Sequence, residues 1–372
     1  MTKAAELAKM GEVITNDQIG GRRNVIINGS QQVAQRATSV TDVGGSQGYF
    51  CTDRFKSTLS GTAARYTVSQ DSDAPAGFSK ALKYDVTTAD TSVAADEFHA
   101  ISYRAEGQDI SHFEWGTSDA KKCTFSFYAK ATAAQTVVVN FVRATTSGTS
   151  RSVSKAFSIT TSYQRFTFTL PADTGGSAQV ETNAEGLAIH IGFGGGSNFT
   201  GGTINETWED ITNNKRFAGV GNLASSTDNN FFITGIQLEV GSQATPFEHR
   251  SFGEEHDLCK RYYQKSFEYA TAVGASTQLA GWSTGGPNGA TSTGYIEGTV
   301  NFEKIMRAIP TMTIYDYSGN SGKCTRLAAG TARYHNSSVN TSNLSSRGLE
   351  IISTTGTAAG LVQAHYTADA EL

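Results

Sequence analysis

The sequence predicts an all-β protein: two antiparallel β-sandwich domains after a short N-terminal helix. Three observations predict it. Gly is abundant and Pro scarce, at 39 and 5 of 372 residues, against usual frequencies of ~7% and ~5%. Short stretches of alternating apolar and polar residues recur between Gly, Ser, Thr, Asn and Asp clusters, and helical-period segments do not come between them. The length suits two or three domains at ~150 residues each. Pro interrupts ladder hydrogen bonds, so its scarcity agrees with many strands.

The first element is the helix. Over residues 2–16, Leu7, Met10 and Ile14 fall at i, i+3 and i+7, the spacing of an apolar seam. The Thr15-Asn16-Asp17 cluster and the Gly20-Gly21 pair then end it. Two heptads are marginal in isolation, so this helix needs a partner surface. Residues 1–21 are therefore either an oligomerisation and docking segment or a helix lying on its own domain.

Residues 22–251 form the first β domain. Val25-Ile26-Ile27 is a short apolar run. Cys123–Lys130 alternates with Cys123, Phe125 and Phe127 on one face. Val137–Val142 reads as a strand buried on both faces. Phe166–Leu170 and Leu187–Phe193 alternate again, and Phe231–Val240 closes the set with Ile236, Leu238 and Val240 inward. Around residues 246–258, Pro246 and the clusters Glu248-His249-Arg250 and Glu254-Glu255-His256-Asp257 interrupt the pattern. Leu258–Tyr263 then reads as a short helix or as the first strand of a new unit. Residues 252–372 form the second, smaller sandwich, with strands at Gly298–Phe302, Thr311–Tyr315, Leu349–Ile352 and Gly360–Tyr366.

Composition also excludes function classes. Thirty basic and 34 acidic residues give a net charge of −4, so no basic surplus exists to neutralise phosphates and nucleic acid is not expected as a partner. Apolar runs all fall short of the ~18 residues of a spanning helix, so membrane insertion is not expected. Charges at the start, where a signal peptide is apolar, point to folding in the cytosol of the producing cell. Cys51, Cys123, Cys259 and Cys324 are too far apart for C-x-x-C and are expected to be thiols.

Three stretches carry a resemblance. One is Met10–Gly29 (MGEVITNDQIGGRRNVIING) with Gln32–Arg36 (QVAQR) and Thr52–Phe55 (TDRF). The second is Ile233–Glu255 (ITGIQLEVGSQATPFEHRSFGEE) running into Leu258–Tyr263 (LCKRYY). The third is the ending His365–Leu372 (HYTADAEL). Together, over essentially the whole chain, they resemble tail-fibre-like structural proteins of bacteriophages, particularly those of marine and cyanobacterial hosts. The middle stretch is the most specific. The resemblance implies a virion component assembled in the bacterial host cytoplasm, a homotrimer, joined to other virion proteins through its N-terminus. It implies attachment to a host surface glycan or protein without catalysis. The alternatives are a capsid-decorating or connector fibre without a receptor, and a polysaccharide depolymerase.

Residues 22–251 also resemble carbohydrate-binding-module jelly rolls, with Asn24–Gly29 matching the opening strand and Gly235–Gly241 the closing one. In such modules an aromatic ring stacks on the sugar's C–H face while polar side chains bond its hydroxyls. Trp115, Trp208 and Trp282 are the only tryptophans and lie outside the clearest alternating strands. They are the ligand candidates, with core packing or a subunit contact as the other reading. Tyr49-Phe50 and Tyr262-Tyr263 read as core or interface. No cofactor is expected beyond a structural calcium, for which Asp71 and Asp73 would supply two oxygens. Carboxylate pairs for glycoside hydrolysis would come from Asp71 with Asp73, Glu206 with Glu209 and Asp210, or Glu254 with Glu255, all in polar turn-like stretches. The seven His are scattered, without a zinc spacing, and no G-x-S-x-G occurs. Gly194–Gly202 lacks the Lys of a phosphate loop and reads as a flexible tip.

Overall fold

The computed structural model describes residues 22–279, 281–285, 294–328, 333–355 and 360–372. The seam of Leu7, Met10 and Ile14 lies outside the described residues. Residues 22–34, 38–252 and 372 form one compact unit, and residues 35–37 with 253–371 form the second.

The first unit is two six-stranded antiparallel sheets face to face. Sheet one runs in the order β1 (Ser39–Val43), β3 (Arg65–Asp71), β4 (Ala81–Thr88), β12 (Asn230–Val240), β6 (Cys123–Ala131), β9 (Gln164–Leu170). Sheet two runs β11 (Glu209–Asp210), β8 (Arg151–Ile159), β7 (Gln135–Arg143), β10 (Glu185–Gly195), β5 (Phe98–Glu106), β2 (Phe55–Ser60). Successive side chains on a strand point to opposite faces. Phe125, Phe127, Tyr66, Tyr84 and Phe231 of sheet one therefore meet Val139, Phe141, Ile189, Ile191, Phe193, Ile101 and Tyr103 of sheet two in one core. Cys123, Phe125 and Phe127 share the inner face, as their alternation predicts.

Strand β12 changes phase midway. Phe231 and Ile233 point inward, and so do Ile236 and Leu238, which are out of step by one residue. The pairing with β6 shifts between Thr234 and Gln237, and Gly235 sits between them at φ 60°. A bulge with Gly in the left-handed region inserts one residue and keeps both halves facing the core.

The expected opening strand is different in the structure. Residues 22–26 lie beside β12 without forming a ladder, and 27–30 form a turn whose Gly29 O still accepts from Ile236 N–H at 3.0 Å. Val25 N–H donates to Leu238 O at 3.0 Å. The Asn24 side chain supplies the rest: its Oδ1 accepts from Ile26 N and Leu238 N, both at 3.0 Å, and its Nδ2 donates to Ile236 O at 3.1 Å. A short amide side chain competes with backbone ladders in this way.

The second unit centres on β21 (Gly360–Asp369). Strands β13 (Tyr263–Lys265), β14 (Trp282–Gly285), β16 (Thr311–Tyr315) and β17 (Lys323–Ala328) pair with it, and β18 (Arg333–Ser338) pairs with β17. A three-stranded sheet of β15 (Gly294–Asn301), β20 (Gly348–Thr355) and β19 (Asn340–Ser342) completes it. Val300, Leu349 and Ile351 pack with Ile314, Cys324, Val362 and Tyr366. Both readings of Leu258–Tyr263 hold in part, because helix Phe252–Lys260 runs directly to β13 at Tyr263. All four cysteines are buried free thiols, and burial pushes Cys51 up to about 12.

Candidate functional site

The outer face of sheet two is where polar side chains collect. Register alone places Lys56, Ser102, His190, Asn140 and Ser154 in one row across β2, β5, β10, β7 and β8. The row is bonded in two stretches. Thr58 Oγ1 donates to Ser102 Oγ at 2.8 Å, and Ser102 Oγ lies 2.7 Å from His190 Nδ1. Asn140 Nδ2 donates to Ser154 Oγ at 2.9 Å.

The next row toward the β10 C-terminus is apolar: Ala100, Gly192, Val138 and Ala156. It is covered by the segment between β10 and β12. This segment makes a short helix at Ser197–Thr200, follows the β8 edge as β11, and crosses the face at Phe217. Phe217 packs with Phe98, Ala100 and Val138 in a small separate core. Gly192 is required here, since a Cβ would stand 2.7 Å from the Phe217 ring. The Gly-rich stretch Gly194–Gly202 is therefore not a free tip: Gly196 N–H donates to Glu97 O at 2.9 Å, and Phe217 N–H to Phe199 O.

Arg216 comes to the polar row through Phe217. Its Nε donates to Asn140 Oδ1 at 3.0 Å, its guanidinium lies 4.8 Å from the Phe98 ring centroid, and its carbonyl accepts from Ser154 Oγ. Phe98 also meets the His190 ring edge-on at 5.6 Å. Arg104, on the opposite side of the row, pairs with Glu185 at 2.8 Å. His190 is held well below its ordinary value, first by burial and then by Arg216, Arg104 and Lys56. Burial alone lowers Arg216 to about 10.

Two of the three tryptophans weighed as ligands follow the core-packing reading. Trp115 is 0% exposed and Trp208 9%. They contact each other at 5.0 Å, and Trp115 also meets Phe113 at 4.8 Å. Their indole N–H groups donate to Lys121 O and Pro171 O, both at 2.8 Å. Both sit in loops, as the sequence predicts, but those loops fold back over the end of the core. Trp282 lies on β14 opposite Ala364, and its side chain is outside the described residues.

The two carboxylates weighed for calcium have protein partners. The Asp73 carboxylate is bonded to Lys130 Nζ, and Asp71 Oδ1 accepts from Asp73 N–H at 2.8 Å. Among the described residues, no group of three or more His, Cys, Asp or Glu is placed to hold a metal. The other carboxylates weighed for hydrolysis are in ion pairs: Glu206 with Lys155 at 2.7 Å, Glu209 with Lys215 at 2.9 Å, Asp210 with Arg151 at 3.1 Å. Glu254 and Glu255 are neighbours on helix Phe252–Lys260, about 100° apart around its axis.

A second buried polar chain lies nearby. His99 Nε2 is 2.9 Å from Glu97 Oε2, and Tyr66 Oη is 3.3 Å from His99 Nδ1. Burial lowers His99 against the opposing pull of Glu97. His99 and His190 therefore bind fewer protons folded than unfolded as pH falls below the unfolded value of ~6.5. Stability rises with pH in that window and is lost on acidification, by up to about 1.4 kcal/mol per pH unit for each group. Urea midpoints are expected to drop between pH 7.5 and 5.5, and less so in His190→Gln; equal midpoints would refute the assignment.

No family model matches the chain, and no curated protein matches it significantly. Solved structures similar to it include the family 11 carbohydrate-binding module of the cellulosomal cellulase Lic26A-Cel5E of Clostridium thermocellum. That match is 11% identical, spans 55% of this chain and 96% of that one, and has a TM-score of 0.29. The CBM22-1 xylan-binding domain of Paenibacillus barcinonensis Xyn10C is 11% identical over 57% of this chain and 98% of its own, at 0.27. The enzymatically active domain of tailspike protein 4 from bacteriophage CBA120 is 9% identical over 59% of this chain, at 0.30. The matched part is 21% of that tailspike chain. Jelly-roll carbohydrate-binding modules thus stand among the structural neighbours of this all-β chain.

Proposed function

We propose that this protein binds a glycan on the outer face of sheet two without catalysis, and that it does so as a virion attachment protein. The observation that carries the binding reading is the polar row Lys56, Ser102, His190, Asn140 and Ser154 beneath Arg216. Ser102 and Asn140 are fully buried and bonded to His190 and to Arg216, which is partly exposed, and imidazole and guanidinium groups held in this way suit the hydroxyls of a sugar. Among the described residues His190 Nε2 has no hydrogen-bond partner, and the residue is 7% exposed. The pairing of the weighed carboxylates with Lys and Arg supports binding rather than hydrolysis.

The virion role rests on the resemblance of Met10–Gly29, Ile233–Glu255 and His365–Leu372 to tail-fibre-like proteins. In this reading the chain is a homotrimer docked on other virion proteins through its N-terminus. Weak contacts at each copy then combine, since linked sites raise avidity by ~10²–10⁴. Host-cell and polysaccharide binding by the purified chain is the test. Saturable binding that Asn140→Ala and Ser154→Ala reduce at least fivefold, without new reducing ends, is the expected result. Binding untouched by both substitutions would remove this face from the reading, and reducing ends would make the protein a depolymerase. Gold labelling of virions separates a tail position from a capsid-decorating one.

A further inference from the structure

We propose that the glycan is acidic, its carboxylate or sulfate oxygens taken by the Arg216 guanidinium and by His190 Nε2–H on either side of Phe98. The inference rests on the glycan-binding reading of the same face and adds the class of sugar.

Charge balance on the face is its basis. Arg104 has Glu185, and the carboxylates near the crossing segment are already paired, Glu206 with Lys155 and Glu209 with Lys215. Arg216 has no carboxylate within ion-pair distance among the described residues, and the only hydrogen-bond partner of its guanidinium there is the neutral Asn140 amide. A half-buried guanidinium without a counter-ion is costly, and an anion arriving from outside relieves that cost. Phe98 and Asn140 fix the guanidinium plane, so its outer nitrogens keep a forked geometry that matches two oxygens of one anionic group. His190 is surrounded by Arg216, Arg104 and Lys56, so the positive potential extends along the row. An anion bound beside it would hold a proton on Nε2 and favour the charged imidazolium.

A neutral glycan on this face would leave Arg216 uncompensated, and an acidic one would not.

The test compares polygalacturonate, dextran sulfate, xylan and unmodified dextran on the full chain by isothermal titration, at 50 and 500 mM NaCl. Acidic polymers should bind at least tenfold tighter than neutral ones at low salt and lose that margin at high salt. Arg216→Gln should lower acidic-glycan affinity at least tenfold and neutral-glycan affinity by a clearly smaller factor. Arg216→Lys should recover only part, because the fork is gone. Lys215→Gln, which removes a neighbouring charge paired with Glu209, should change binding less than twofold. The polygalacturonate and dextran sulfate arms distinguish a carboxylate from a sulfate. Equal binding of neutral and acidic polymers, or an equal loss in Lys215→Gln, overturns the acidic class while the glycan reading stands. Absence of binding to all four polymers and to host polysaccharide overturns both. The salt series on the unaltered chain keeps the inference open to refutation even if Arg216→Gln does not fold.

Discussion

Replacing Trp115 by Ala should cost about 3–5 kcal/mol of stability, as expected for a large aromatic removed from a packed core. The ring is fully buried between Phe113 and Trp208, and its N–H satisfies Lys121 O. Truncation leaves a cavity at the end of the sandwich and an orphaned carbonyl, and the two penalties add. Chemical denaturation followed by tryptophan fluorescence and far-ultraviolet circular dichroism measures the loss. Glycan affinity per folded molecule should stay within twofold. A loss below about 1 kcal/mol together with abolished glycan binding would return Trp115 to the ligand.

The same tryptophan marks the limit of what the sequence discloses. Alternation made β6, β9, β10 and β12 legible, because each turns an apolar face to the main core, and β7 was legible as a continuous apolar run, with Val139 and Phe141 in that core and Val138 in the smaller one. Strand β5 is buried along nearly its whole length, and its His99, Ser102 and Arg104 hide the pattern. Loop tryptophans looked available because position along the chain says nothing of a loop folding back. The site itself was half visible. In Leu187–Phe193 the residues between the apolar ones are Ala188, His190 and Gly192, small or polar and all on one face. What the sequence does not disclose is cross-strand register, and register is what aligns His190 with Ser102 and Asn140. Arg216 lies in a segment without periodicity, and only its tertiary seat on Phe98 gives it a role.

Asp173→Ala should be as damaging as Trp115→Ala, at about 3–5 kcal/mol, the range for breaking a buried ion pair by removing one partner. Asp173 is 1% exposed at its side chain, and Arg143, at 0%, donates to it from Nε at 2.8 Å. Arg151 reaches the same carboxylate from its other side, at 3.2 Å, while also holding Asp210 and the Trp208 carbonyl. Without Asp173, Arg143 is a buried cation with only the carbonyls of Ser177 and Gly175 for company. Burial already lowers Arg143 despite Asp173 beside it, so the desolvation it bears is large. Removing both charges should be milder than removing one. Arg143→Met with Asp173→Leu is expected to recover at least half of the loss, because an apolar pair of similar volume replaces a costly ionic one. The pair then matters chiefly for position. Through Arg151 it ties the turn at residues 171–176 to Trp208 and β11, from which the chain proceeds to Arg216. Hydrogen exchange should therefore quicken over residues 205–217 in Asp173→Ala and in the double variant alike, even where stability has been recovered. Unchanged protection there in both variants would show that the crossing segment is held by Phe217 alone.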